Sequence, residues 1–285
     1  MNIYNATRTI YNVKLQTHMM ANLPYTPLPN TTLNEKFNIL EYKQHRCLPT
    51  EGRPIYPTIK GIMLGNGGTE ILDSDLGNMK LGKHSPVDGA LFNHIPFVIR
   101  PEEEDLLGEE RAKYRFRREM YIDGKKHYGY YIKLFTDKDL YYRPEILCVD
   151  NSKVVPSIKI FNTDRSDILN PVPEKDNRMS TYENSIYTVN ILRFEFKLSD
   201  NELRELQNVF KLLKIKDYLL TELAVVTGID WEDEEYNDEL IYTQVAYFID
   251  ISLNLEAIND KILVTNIEIG GGEIIPLRKE LTAQG

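Results

Sequence analysis

The sequence predicts a β-rich α+β protein, with antiparallel sheets or a sandwich, one main amphipathic helix over about 199–215 and a long projecting strand over about 240–255. Three observations lead there. Strict apolar/polar alternation recurs in several segments, as half-buried strands require. A single capping-box signature opens the one clear run of helical spacing. The chain also holds 18 Tyr and 10 Phe against one Trp, a composition that suits pleated, half-buried surfaces.

Residues 1–60 carry Pro24, Pro27, Pro29, Pro49, Pro54 and Pro57. Proline fixes φ and removes a donor, so the region reads as an extended N-terminal arm with a polyproline-like stretch around Pro24-Tyr25-Thr26-Pro27. Ile59–Leu64 is a short strand that runs into Gly65-Asn66-Gly67-Gly68. A phosphate cradle would need a following Gly-Lys-Ser/Thr or a G-x-G-x-x-G at a helix start, so a structural turn is expected instead. Phe92–Pro101 reads as a strand bounded by prolines. The acidic block Glu102, Glu103, Glu104, Asp105, Glu109 and Glu110 suits a helix N-terminus, with Arg111 and Lys113 in its last turn.

Tyr114, Phe116, Arg118, Met120 and Ile122 alternate with Arg115, Arg117, Glu119 and Tyr121 up to Asp123-Gly124, a type I′ signal. A hairpin over 114–134 follows. The polar stretch 161–185 reads as a connection between a β-rich lobe at 61–160 and an α+β lobe at 186–285. Residues 191–198 alternate as a strand. Ser199-Asp200-Asn201-Glu202 then caps a helix with Leu203, Leu206, Phe210 and Leu213 on one face. Residues 219–226 read as a strand, with continuation of the helix as the competitor. Ile241 through Leu255 alternate for longer than the usual five or six residues, so this strand is expected to project as a ribbon or to bend across two sheets. Tyr247 and Ile249 lie on its apolar face.

Chemistry is sparse. Cys47 and Cys148 are too few for a disulfide framework or a cysteine-built metal site and read as free buried thiols. His84, Asp88 and His94 are the only residues grouped closely enough to suggest a metal-assisted enzyme, and a hydrogen-bonded loop histidine is the commoner fate of such residues. Asp73 and Asp75 lack the spacing of a calcium loop. No cofactor is expected. No apolar stretch has membrane-spanning length, and the first residues lack a signal-peptide layout, so assembly in a reducing cytoplasm is the expectation. The net charge of −9 speaks against a nucleic-acid partner. Arg115, Arg117 and Arg118 lie beside the acidic Glu102, Glu103 and Glu104, and a salt-bridged contact between subunits would explain both blocks.

Leu91-Phe92-Asn93-His94-Ile95-Pro96-Phe97, the acidic turn, Arg111–Arg117 and Tyr128–Lys133 together resemble virion structural proteins of tailed bacteriophages. Thr221–Asp230 is similar to segments of the same class. The resemblance implies a non-enzymatic subunit of a neck, tail or baseplate, assembled in the host cytoplasm, whose partners are copies of itself and other virion proteins. It carries over no catalytic residue. Pro24, Tyr25, Pro27, the two charge blocks, Tyr247 and Ile249 are then the expected contact residues. A β-rich carbohydrate- or receptor-binding module, with Tyr141 and Tyr142 as stacking platforms, is the competing expectation.

Overall fold

The computed structural model describes residues 3–21, 56–73, 78–81, 83–136, 140–150, 153–160, 186–215, 218–232, 238–255, 263–270 and 275–276. The expected fold class holds: the chain is β-rich and, among the described residues, the strand pairings given are antiparallel and helices are few. It divides into two compact units. One comprises Asp137–Glu195 and Asn266–Gly285, and the other Asn2–Thr136 and Phe196–Thr265. The division is discontinuous in sequence and cuts across both lobes expected from the pattern. The connection 161–185 lies outside the described residues.

In the first unit, β9 (Leu140–Asp150) pairs on one side with β10 (Lys153–Ile160) and on the other with β11 (Ile186–Leu198), which also takes β14 (Ile275–Pro276). Cys148 and Tyr141–Tyr142 lie on β9, and their side chains fall outside the described part, as do Cys47, Pro24, Tyr25 and Pro27.

The second unit begins with β1 (Ile3–Arg8) and α1 (Ile10–Ala21). These two elements correct the reading of 1–60 as an extended arm. Thr9 is the reason the chain turns into a helix here, because its hydroxyl accepts from the Asn12 amide and donates to the Val245 carbonyl. The unit's sheet runs in the order β1, β13 (Asp238–Asn254), β12 (Leu219–Glu232), β2 (Thr58–Gly65), β8 (Lys125–Leu134) and β6 (Val98–Pro101). The short β5 (His94–Ile95) adds to β2, and β7 (Tyr114–Ile122) lines the other edge of β8. A separate small hairpin pairs β3 (Thr69–Asp73) with β4 (Asn78–Leu81).

The β7–β8 hairpin closes as expected. Asp123 and Gly124 both have positive φ, 49° and 79°, as a type I′ turn requires. The acidic block does not form one helix. A 3-10 turn over Glu102–Glu104 ends at extended Asp105, and a separate short α2 (Gly108–Ala112) follows. β13 does not project alone, since β12 pairs with it from Leu219↔Asn254 to Glu232↔Asp238. The two strands run on together past the end of β2, whose last pair with β12 is Thr58↔Gly228. Register shifts between β12 and β13, together with Tyr242 at φ 53°, break the simple alternation. Val245, Ala246, Tyr247, Phe248 and Ile249 are therefore all buried, and both faces of the central strands are covered. Tyr247 and Ile249 are core residues rather than contact residues; the Tyr247 hydroxyl meets Asn12 on α1.

α3 (Asp200–Leu212) lies along β8 and β6. Leu203, Leu206, Val209 and Phe210 face inward. Glu202 pairs with Lys133, Glu205 grips Arg100 through both oxygens at 2.6 and 2.8 Å, and Lys214 beyond the helix meets Asp123. The capping box is complete: the Glu202 amide donates to Ser199 Oγ at 3.4 Å and the Ser199 amide donates to Glu202 Oε2 at 2.8 Å. Burial alone would push the Glu202 carboxyl up. The Lys133 ammonium and the Ser199 donors outweigh it and hold the group below its usual range. Its contribution is thus present above the unfolded-state value and is lost as the pH falls through the lowered one. Ser199→Ala is expected to cost about 1 kcal/mol in urea unfolding. An unchanged midpoint would show that this cap does not set the helix.

Candidate functional site

In the run Leu219-Leu220-Thr221-Glu222-Leu223-Ala224-Val225-Val226 a single charged residue interrupts an apolar strand. A carboxylate on a buried strand must find partners or neutralise. Glu222 is 2% exposed and accepts four hydrogen bonds. Oε1 takes the amides of Gly67 and Asn93, the latter at 3.4 Å, while Oε2 takes the Phe92 amide at 2.7 Å and His84 Nε2 at 2.8 Å. Because a carboxylate only accepts, Nε2 is the donor. Four donors match the roughly four lone-pair sites of an ionised carboxylate.

His84 is buried as well. Its ring lies between the rings of Phe92 and Phe248, with centroids 4.1 and 3.9 Å away and planes within 11° and 7°. Its second nitrogen, Nδ1, lies 3.4 Å from Asp88 Oδ2. Asp88 in turn accepts from the Ser85 amide at 2.8 Å and closes the turn 85–88. The glycines of 65–68 let the backbone come this close: a Cβ on Gly67 would lie 2.5 Å from Phe92 Cβ and 2.9 Å from Glu222 Oε1. Thr221 donates to the Gly67 carbonyl at 2.6 Å. One strand therefore fastens two loops, 65–68 and 83–93, and the glycine turn is structural, as its sequence predicts.

The loop 83–93 also meets α1. The Ile10 amide donates to the Pro86 carbonyl at 2.9 Å and the Tyr11 hydroxyl to the Val87 carbonyl at 2.5 Å. Around this junction large apolar side chains face solvent: Ile10 is 53% exposed, Val13 44%, Val87 60% and Phe92 51%. Exposed apolar side chains gathered on one surface mark contact sites. Here the backbone beneath them is pinned to a buried hydrogen-bonded cluster.

Of the expected metal group, His84 and Asp88 come together, with Glu222 as the third member that the sequence reading missed. His94 sits on β5 opposite Gly65, buried. Among the described residues, no group of three or more His, Cys, Asp or Glu is arranged to hold a metal ion. Asp73 lies at the end of β3, and Asp75 is outside the described residues.

The two charge blocks meet in part inside the chain, which corrects the reading of Arg117 and Glu102 as opposite halves of a contact between subunits. Arg117 pairs with Asp105 and lies over the Tyr128 ring, 3.3 Å from its centroid. Glu102 takes Lys126 at 2.9 Å. Arg115 is buried and donates to the carbonyls of Ala112 and Tyr114. Arg118 is half-buried against Tyr131. Glu103 and Glu104 stay exposed. A second, partly buried carboxylate organises this end. Glu239 accepts from Arg111 at 2.6 Å and from the Phe116 amide at 2.9 Å. Phe116 adopts φ 58°, an unusual conformation for a bulky residue, and its amide meets that carboxylate. Tyr114, Arg115 and Phe116 are consequently buried in succession, against the expected alternation.

These features define a β-rich α+β protein whose buried and partly buried carboxylates fix loops and edges and whose apolar side chains at one junction face outward. The chain belongs to DUF7208, described as a family of unknown function, which matches residues 1–284. No curated protein and no solved structure matches it.

Proposed function

We propose that the chain is a non-enzymatic structural subunit of a tailed-bacteriophage virion, of neck, tail or baseplate, acting through contacts with copies of itself and with sibling subunits. The observation that carries this reading is the apolar surface of Ile10, Val13, Val87 and Phe92, held in place by the Glu222–His84 cluster. The two segments that resemble virion proteins also meet there: Phe92 and Asn93 of the first donate to Glu222 of the second. A contact surface needs its apolar groups presented on fixed backbone, so that ordering them costs little on association.

Two measurements test the reading. Light scattering behind size-exclusion chromatography should give a mass above that of the 33.1 kDa chain. Val87→Asp combined with Ile10→Asp should lower that mass with an unchanged melting temperature. Mass spectrometry of purified particles of the phage that encodes the chain should find it at structural copy number. Its absence from those particles would end the virion reading.

A further inference from the structure

A shallow groove of about 420 Å³ opens between β6, the 3-10 turn and α3. Ile99, Pro101, Val209 and Leu212 give it an apolar floor. Glu104 stands on the turn side and Lys211 on the helix side. Most charges around it are matched within the chain: Arg100 with Glu205, Glu102 with Lys126, Asp105 with Arg117, Glu202 with Lys133, Lys214 with Asp123. Of the charged residues that line the groove, Arg100 and Glu205 are paired with each other, while Glu104 and Lys211 have no partner among the described residues.

We propose that this groove is a self-docking surface, in which Glu104 of one copy meets Lys211 of a second copy and Lys211 meets Glu104 in return. The inference rests on the reading that the chain works through subunit contacts, and it names one such contact. A surface with one unpaired acid and one unpaired base on opposite walls is complementary to itself after a two-fold rotation, because in an isologous contact each pair forms twice. Leu212, 38% exposed at the groove edge, supplies apolar area between the two ion pairs. The pairs fix orientation and make the contact weaken with salt.

Sedimentation equilibrium on the full chain at low and high salt tests this. The wild type should show a monomer–dimer equilibrium that weakens as salt rises. Glu104→Lys and Lys211→Glu should each raise the dimer dissociation constant roughly tenfold by losing two pairs. The double variant carrying both changes should restore it. Both positions are exposed, so unchanged melting curves will confirm folding. If the charge reversals leave association as it was, or the double variant fails to recover, the groove proposal is overturned. If Val87→Asp with Ile10→Asp alone abolishes association, the subunit reading stands without the groove. A wild type that is monomeric at every concentration overturns both.

Discussion

Glu222→Ala is expected to lower stability by about 3–5 kcal/mol, because removing the buried acceptor strands the four donors it satisfies. His84 would keep its place between Phe92 and Phe248 but lose the acceptor at Nε2. The amides of Gly67, Phe92 and Asn93 would lose theirs as well. Each stranded buried group carries a desolvation cost of its own. Glu222→Gln should fall between: one oxygen can still take Gly67 and Asn93, but the new NH2 group faces the Phe92 amide donor. Urea unfolding gives the magnitudes, and hydrogen exchange locates them. Protection at Gly67, Phe92 and Asn93 should drop in Glu222→Ala while that of β7 and β8 holds. An alanine variant within about 1 kcal/mol of wild type would mean the loops 65–68 and 83–93 are held by packing alone. If the loops loosen as expected, Val87 and Phe92 lose their fixed positions, and self-association should weaken along with stability.

The parts of the fold that were legible in advance are those whose local chemistry has one solution. Asp123-Gly124 can make the two left-handed residues of a tight hairpin, and Ser199 with Glu202 can make reciprocal cap bonds; both do so. α1 was not legible, although Thr9 caps it. Its apolar residues do not share one face: Ile10 and Val13 point to solvent while Asn12 is buried. The prolines that begin at Pro24 also coloured the reading of everything before them. The alternation along β13 is present in the sequence, but register shifts and burial on both sides removed its usual consequence, so Tyr247 and Ile249 became core. The charge blocks misled for a different reason. Sequence shows that 102–110 and 111–118 are opposite in sign, not whether the chain folds one onto the other, as Asp105–Arg117 does. Glu222 was the missed signal. A lone acid within a buried apolar strand announces that something must donate to it, but the donors are backbone amides more than a hundred residues away in the chain.

Gly61→Ala is the second large effect expected, and its cause is steric rather than electrostatic. Gly61 sits where β2 crosses from β12 to β8, opposite Val226 on one side and Leu134 on the other. A Cβ built there would overlap the Lys133 carbonyl oxygen and stand 2.9 Å from its carbon and 3.0 Å from Leu134 Cα. These are backbone atoms, so no rotamer change can clear them. β8 cannot simply retreat: β7 pairs along its other edge, the Lys133 side chain is held by Glu202, and the Phe135 amide donates to the Lys60 carbonyl at 2.9 Å. Overpacking of this kind costs about 1–3 kcal/mol or more, and the upper end is expected because the short β2–β8 pairing would have to part. Gly108→Ala is the control. Gly108 has φ +52° with nothing within 4 Å of an added Cβ, so it bears only the left-handed penalty of about 1–2 kcal/mol. The two variants separate backbone conformation from collision. Unfolding midpoints that shift equally would show that β2 and β8 can move apart freely at Gly61, and the junction would then not be the rigid link between the β12–β13 pair and the hairpin that its geometry requires.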